Sequence, residues 1–217
     1  MAKHKRHNKS IKNIQRLNTP CLSGIYLKEQ ELLDSLSEKI QKKNSRNSEF
    51  IAESDAPYPK IQVQEKNEEY AKILSNDFSG NVSEFSAIAQ YINHEIRIYS
   101  QYNKAHNVII SIAKTEMLHL QIIGKLIVLL GGTLNYSYHD NNACSIWTPK
   151  FIDYGSNFVN MILLDINNEY KAIKQYEEHI KAIDDKYIKE ILKRIIIDEK
   201  QHIELLSELL EENKNDY

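Results

Sequence analysis

The chain has 217 residues, 41% of them hydrophobic and 27% charged, with a formal net charge of −2. That length supports one sizeable core plus a tail, and the composition is ordinary for a globular protein. No apolar run approaches the roughly 18 residues needed to cross a bilayer, and the near-neutral charge leaves no overall footprint for nucleic acid. Two cysteines, Cys21 and Cys144, stand far apart; they exclude a Cys-x-x-Cys metal knuckle and suit free thiols in a reducing, cytoplasmic setting.

The first 28 residues carry seven Lys/Arg and no acid, the first carboxylate being Glu29. The opening Met1 to Lys9 is basic but lacks the apolar stretch of a secretory signal. Leu27 to Lys43 can form a short amphipathic helix through Leu32, Leu33, Leu36 and Ile40. Asn44 to Lys60 is polar, with Pro57 and Pro59 as breakers, and reads as linker. Residues 1–60 are therefore expected to be a basic, largely disordered arm with one possible helix, and residues 61–217 the folded domain. Such an arm could dock the domain on an acidic surface, a shell or a spore layer.

Helical periodicity is strong in four later segments. The first, about Val82 to Tyr99, is striped by Glu84, Ile88, Tyr91, Glu95 and Ile98. The second, about Asn103 to Leu130, carries Ile109, Ile112, Glu116, His119, Ile123 and Ile127, and stops at Gly131-Gly132. Residues 131–155 hold Pro149 and no clear helix, and Trp147 is expected to pack this connection against a helix side. The third helix spans about Ser156 to Ile183 and the fourth Lys186 to Glu212, with Asp184-Asp185 as turn and N-cap between them. The pattern predicts an all-α four-helix bundle of two antiparallel hairpins, joined by a long crossover that makes the second and third helices parallel.

Within that pattern a string recurs. Glu84-Phe-Ser-Ala-Ile-Ala-Gln-Tyr91, with His94 beyond it, matches Glu169-Tyr-Lys-Ala-Ile-Lys-Gln-Tyr176 with His179. About thirty residues after each comes the same pair, Glu116 with His119 and Glu199 with His202. Equal height in an antiparallel hairpin means equal distance from the turn. The midpoint of Glu84 and Glu116 is residue 100, and that of Glu169 and Glu199 is residue 184, where the turns are expected.

All six residues sit on apolar stripes. Glu and His three apart are about 4.5 Å apart along a helix and on neighbouring faces, so both can reach one ion. Four carboxylates and two imidazoles suit iron or manganese better than a pure zinc site. Without a cation, burying four carboxylates together would cost several kcal/mol each. The predicted ligands of two metal ions are thus Glu84, Glu116, His119, Glu169, Glu199 and His202. Asp165, one turn from Glu169, is expected to orient His202 or His119. Glu95 lies about 16 Å from Glu84 by helical rise and is not a ligand. Tyr91 and Tyr176 are expected as core, and His94 and His179 in helix packing or at the surface.

These residues resemble the ferritin-like superfamily of dimetal carboxylate proteins, and within it the rubrerythrin and manganese-catalase branch with its spore-associated members. The resemblance covers about Ile61 to Glu212 and rests on Gly80-Asn-Val-Ser-Glu84, Ala113-Lys-Thr-Glu116-Met-Leu-His119, Glu169 and Ile197-Asp-Glu199-Lys-Gln-His202. It implies an oxidoreductase reacting with peroxide or oxygen (a peroxidase, ferroxidase or catalase), in which Glu199 can handle protons, and a homo-oligomer such as a dimer. It also allows a structural protein that uses the bundle as a building block. Two departures stand out: the additional glutamate that rubrerythrins carry one turn after the third-helix ligand is here Ala172 or Ile173, and no rubredoxin-type pair of Cys-x-x-Cys motifs is present. Because the long C-terminal extension of manganese catalases is also missing, iron is expected over manganese.

Overall fold

A computed structural model describes residues 52–140 and 143–213. The basic arm and its amphipathic segment at Leu27 to Lys43 lie outside the described residues. Among the described residues five helices follow in order: α1 (Glu68–Ser79), α2 (Glu84–Ile98), α3 (Asn103–Leu129), α4 (Phe158–Ala182) and α5 (Lys186–Glu212). Between α3 and α4 lie a two-stranded antiparallel hairpin, β1 (Ser137–Asp140) with β2 (Ala143–Ile146), and a single 3-10 turn at Pro149–Phe151.

The helix ends follow from local chemistry. Ser83 caps α2 by accepting the Ser86 N–H, Asn157 caps α4 by accepting that of Asn160, and Asp185 caps α5 by accepting those of Tyr187 and Ile188. Gly131 ends α3 in the left-handed region at φ 89°, a conformation cheap only for glycine. Next to it a Cβ on Gly132 would stand 2.6 Å from that of Ala71, so glycine there lets α1 close against the end of α3.

Helices α2 to α5 form the bundle, and two apolar clusters show its direction. One gathers Ile122 to Leu130 of α3, Tyr176 and Ile183 at the end of α4, and Ile188 to Ile196 at the start of α5. The other gathers Tyr91 and Ile98 of α2, Val108 to Ala113 near the start of α3, Phe158 to Ile162 opening α4, and Leu206 and Leu209. The beginnings of α3 and α4 share one end and their C-terminal halves the other, so the two helices run parallel and the crossover spans the bundle. Trp147 does pin the crossover to α2: its Nε1 donates to Ser86 Oγ at 3.0 Å and its ring meets Phe85 edge-on.

Two features differ from the sequence expectation. Helix α1 and the β-hairpin were not foreseen; α1 is short, and its N-cap at Asn67 follows a stretch without periodicity. Residues 52–60, expected within the linker, pack on the bundle. Ala52 is buried, Ser54 N–H donates to Asp198 at 2.7 Å, and Arg194 reaches the carbonyls of Ser54 and Ala56. The anchors are mostly backbone groups, which leave no mark on side-chain composition. Among the described residues no helix is long and apolar enough to cross a membrane.

Candidate metal centre

Between the two apolar clusters the bundle interior turns polar. Glu84 is 3% exposed, Glu116 1%, Glu169 3% and Glu199 0%, and His119 and His202 are fully buried. All six sequence-predicted residues converge here. They form two overlapping sets, Glu84, Glu116, His119 and Glu199, and Glu116, Glu169, Glu199 and His202, each with ligand atoms within 4.8 Å of one another. Glu116 and Glu199, from α3 and α5, belong to both sets. Glu84 and Glu169, from α2 and α4, each belong to one.

Each imidazole turns Nδ1 inward onto three carboxylates. His119 Nδ1 lies 3.1 Å from Glu116 Oε2, 3.3 Å from Glu199 Oε1 and 3.7 Å from Glu84 Oε2. His202 Nδ1 lies 3.0 Å from Glu116 Oε1, 3.0 Å from Glu199 Oε2 and 3.5 Å from Glu169 Oε1. Glu116 and Glu199 thus give one oxygen to each side. Donors about 2.1 Å from a common ion at right angles stand about 3 Å apart, which is the spacing found. The residues fit a pair of hard divalent ions.

The electrostatics agree. Burial, reinforced by Glu116, pushes Glu84 well above the usual carboxylate range, and burial with Glu199 and Glu116 does the same to Glu169. Burial opposes charge on His119 and His202 as well, but the surrounding carboxylates outweigh it and raise both. Burial and Glu116 would also raise Glu199, yet His119 and His202 hold it low. Deprived of cations, the cluster would gather protons in their place.

The surroundings add residues that sequence reasoning missed. Tyr91 on α2 donates to Glu169, and Tyr176 on α4 donates to Glu84. Both tyrosines are buried as core, but each hydroxyl ties down the lone glutamate of the opposite hairpin. His119 Nε2 meets Asp198 Oδ2 at 3.1 Å, and Asp198 also accepts from Tyr58 and pairs with Arg194 at 2.6 Å. Burial would raise the Asp198 carboxyl, but hydrogen bonds from His119, Arg194 and Tyr58 hold it at about 2. The arginine also lies over the Tyr58 ring. Asp198, next to Glu199 and four residues after Arg194, was legible as an acid ending an Ile-rich run; Tyr58 was not.

Contrary to the expectation from its height, Asp165 orients neither His119 nor His202. It pairs with His94 Nδ1 at 2.9 Å and accepts from Gln90 Nε2 at 2.8 Å. The reason is rotational: Asp165 and Glu169 are four apart, and Asp165 turns toward α2 while α3 and α5 hold the histidines. The pattern repeats, since His179 Nδ1 lies 2.8 Å from Asp77 and Gln175 Nε2 donates to the same carboxylate at 2.7 Å. Glu95, as expected, is outside the centre and pairs with His106 at 2.7 Å.

Comparison with known proteins agrees with the all-α bundle. The family model described as Rubrerythrin matches residues 72–210. A protein of Clostridium acetobutylicum described as a probable manganese catalase is 24% identical over 174 residues, 72% of this chain and 76% of its own length. Among solved structures, a manganese catalase from Anabaena superposes with a TM-score of 0.64 at 23% identity, covering 73% of this chain and 78% of its own. A bacterioferritin from Mycobacterium tuberculosis gives 0.55 at 23% identity, over 70% of this chain and 90% of its own.

Proposed function

The chain belongs to the rubrerythrin family, and from that premise we propose that it is a two-metal oxidoreductase acting on hydrogen peroxide. Glu84, Glu116, His119, Glu169, Glu199 and His202 would hold the ions. The observation that carries the reading is the doubled motif of one Nδ1 facing three carboxylate oxygens, with Glu116 and Glu199 shared between the two copies. Two such ions, each moving between the 2+ and 3+ states, would supply or absorb the two electrons of peroxide chemistry.

This chain's own residues supply position and protons. Glu116 and Glu199 span both halves and keep them in register. Tyr91 and Tyr176 hold the outer glutamates by hydrogen bonds to their carboxylates. Asp198 accepts from His119 Nε2 and so leaves Nδ1 free to face the centre. Glu199, a buried carboxylate bordered by both histidines, is the group assigned to pass on, one at a time, the two protons that one peroxide loses in becoming dioxygen to the two oxygens of the other as its O–O bond breaks. Disproportionation written this way, two hydrogen peroxide giving dioxygen and two water, balances without an outside reductant.

The donor set accepts iron or manganese. The sequence reading preferred iron, which such donors bind slightly more tightly; two relatives bearing the name manganese catalase favour manganese, and manganese is the metal assigned here. The test is to load purified protein with each metal separately and follow oxygen release from peroxide. Release by the manganese form, lowered at least tenfold by Glu199→Gln, is expected. Fe(II) oxidation without oxygen release would replace this reading with a ferroxidase. No reaction by either form would end the enzyme reading and favour a building-block role. Self-association as a dimer is part of the proposal, and sedimentation of the same samples tests it.

A further inference from the structure

A narrow pocket between α2 and α4 reaches the carboxylates of the centre, forming a passage whose lining includes the exposed Asn81. Glu84, Glu116, Glu169 and Glu199 line it, and so do Ala87, Ala172 and Phe151. It leaves about 30 Å³ of room, where a single water needs about 10–15 Å³. Ala87 and Ala172 stand three residues after Glu84 and Glu169, at matching positions of the repeat. The small side chains at both positions leave this room open.

Phe151 comes from neither helix. It ends the 3-10 turn of the crossover and is held firmly. Its ring rests edge-on against Tyr138 of β1. Two residues on, the Asp153 N–H donates to Gln90 Oε1 at 2.9 Å, and its carbonyl accepts from His94 Nε2 at 2.9 Å. Both of those side chains grip Asp165. Arg97 adds a hydrogen bond to the carbonyl of Tyr154 and one of 3.1 Å to that of Gly155. A buried network serving only to seat a surface loop is a large investment of polar groups. Its consequence is that one aromatic ring stays fixed beside the way in.

We propose that this passage is the route to the centre, that Ala87 and Ala172 set its width, and that Phe151 is a size gate admitting hydrogen peroxide and excluding alkyl hydroperoxides. The substrate-class part rests on the peroxide reading above; the route does not. Two probes separate them in metal-loaded full-length protein. Azide binding, followed through the optical or magnetic signature of the metals, reports the route without turnover. Ala172→Phe is expected to slow azide binding by about 10–100-fold at unchanged metal content, the scale on which pockets discriminate a few carbons. Ala172→Leu gives the same direction with less bulk should the phenylalanine variant fold poorly. An azide rate equal to wild type in a folded, loaded variant would overturn the route. The ratio of rates with tert-butyl hydroperoxide and hydrogen peroxide reports the gate, and Phe151→Ala should raise it by about 10–100-fold. An unchanged ratio would overturn the gate. Absence of turnover with either peroxide in wild type would overturn the peroxide reading and the substrate limit together, with the azide result still deciding the route.

Discussion

The two hairpins contribute the same residues to the centre and surround them differently. Glu84, Glu116 and His119 are matched by Glu169, Glu199 and His202, and Tyr91 and Tyr176 cross over to the opposite glutamates with the same geometry. Beyond the ligands the match ends. Asp198 precedes Glu199 and grips His119, whereas its counterpart before Glu116 is Thr115, whose hydroxyl turns back to the Ser111 carbonyl. His202 Nε2 is left without a hydrogen-bond partner among the described residues. Duplication thus supplies two equivalent sets of donors, while one acid makes the two histidines unequal. The difference assigns a fixed, electron-rich imidazole to one side and a freer one to the other.

The first way to break the comparison is through the shared ligands. Glu116→Ala removes an oxygen from both sets, so both ions should be lost, whereas Glu84→Ala touches one set and should leave about one ion per chain. Metal analysis after dialysis checks this; equal losses from the two variants would mean that Glu116 does not span the pair. The next effect sharpens the asymmetry. Asp198→Asn should weaken metal affinity on the His119 side by about 10–100-fold, and Thr115→Val should do nearly nothing. Competition with a chelator measures both, and equal effects would erase the proposed inequality.

The smallest effect concerns the outer pairs, His94 with Asp165 and His179 with Asp77. Burial opposes the charge on His179, but Asp77 outweighs it and raises the imidazole above its ordinary 6.5. A raised folded value means the stabilisation is full below pH 6.5 and disappears as pH climbs through the folded value. His179→Gln should therefore cost about 1–2 kcal/mol at pH 6 and less at pH 9, read from denaturant melts. A cost that grows with pH would contradict the pairing.

Much of this was legible because ligands must face one another across a bundle. That requirement places Glu84, Glu116, Glu169 and Glu199 on apolar stripes at equal height, and periodicity reports stripes directly. It also places α2 to α5 within a residue or two of their observed bounds. What depends on rotation about a helix or on backbone partners was not legible. Asp165 has the right height and the wrong heading; Asp198 has the reverse history, passed over although it abuts a ligand. Residues 52–60 and Phe151 reach the site through carbonyls and amides that any sequence would offer. Helix α1 buries only Ala71, Leu74 and Phe78 of its apolar residues, a stripe too short to read as a helix from periodicity.

Under the proposed reading, six side chains from two repeats hold two ions as one unit. Its most direct measurement is the metal content of purified wild-type protein beside the double variant Glu116→Ala, Glu199→Ala, with both shown to be folded by circular dichroism. About two manganese or iron ions per chain in the wild type, and none in the variant, is the predicted result. A folded double variant that retains its full metal content would contradict it.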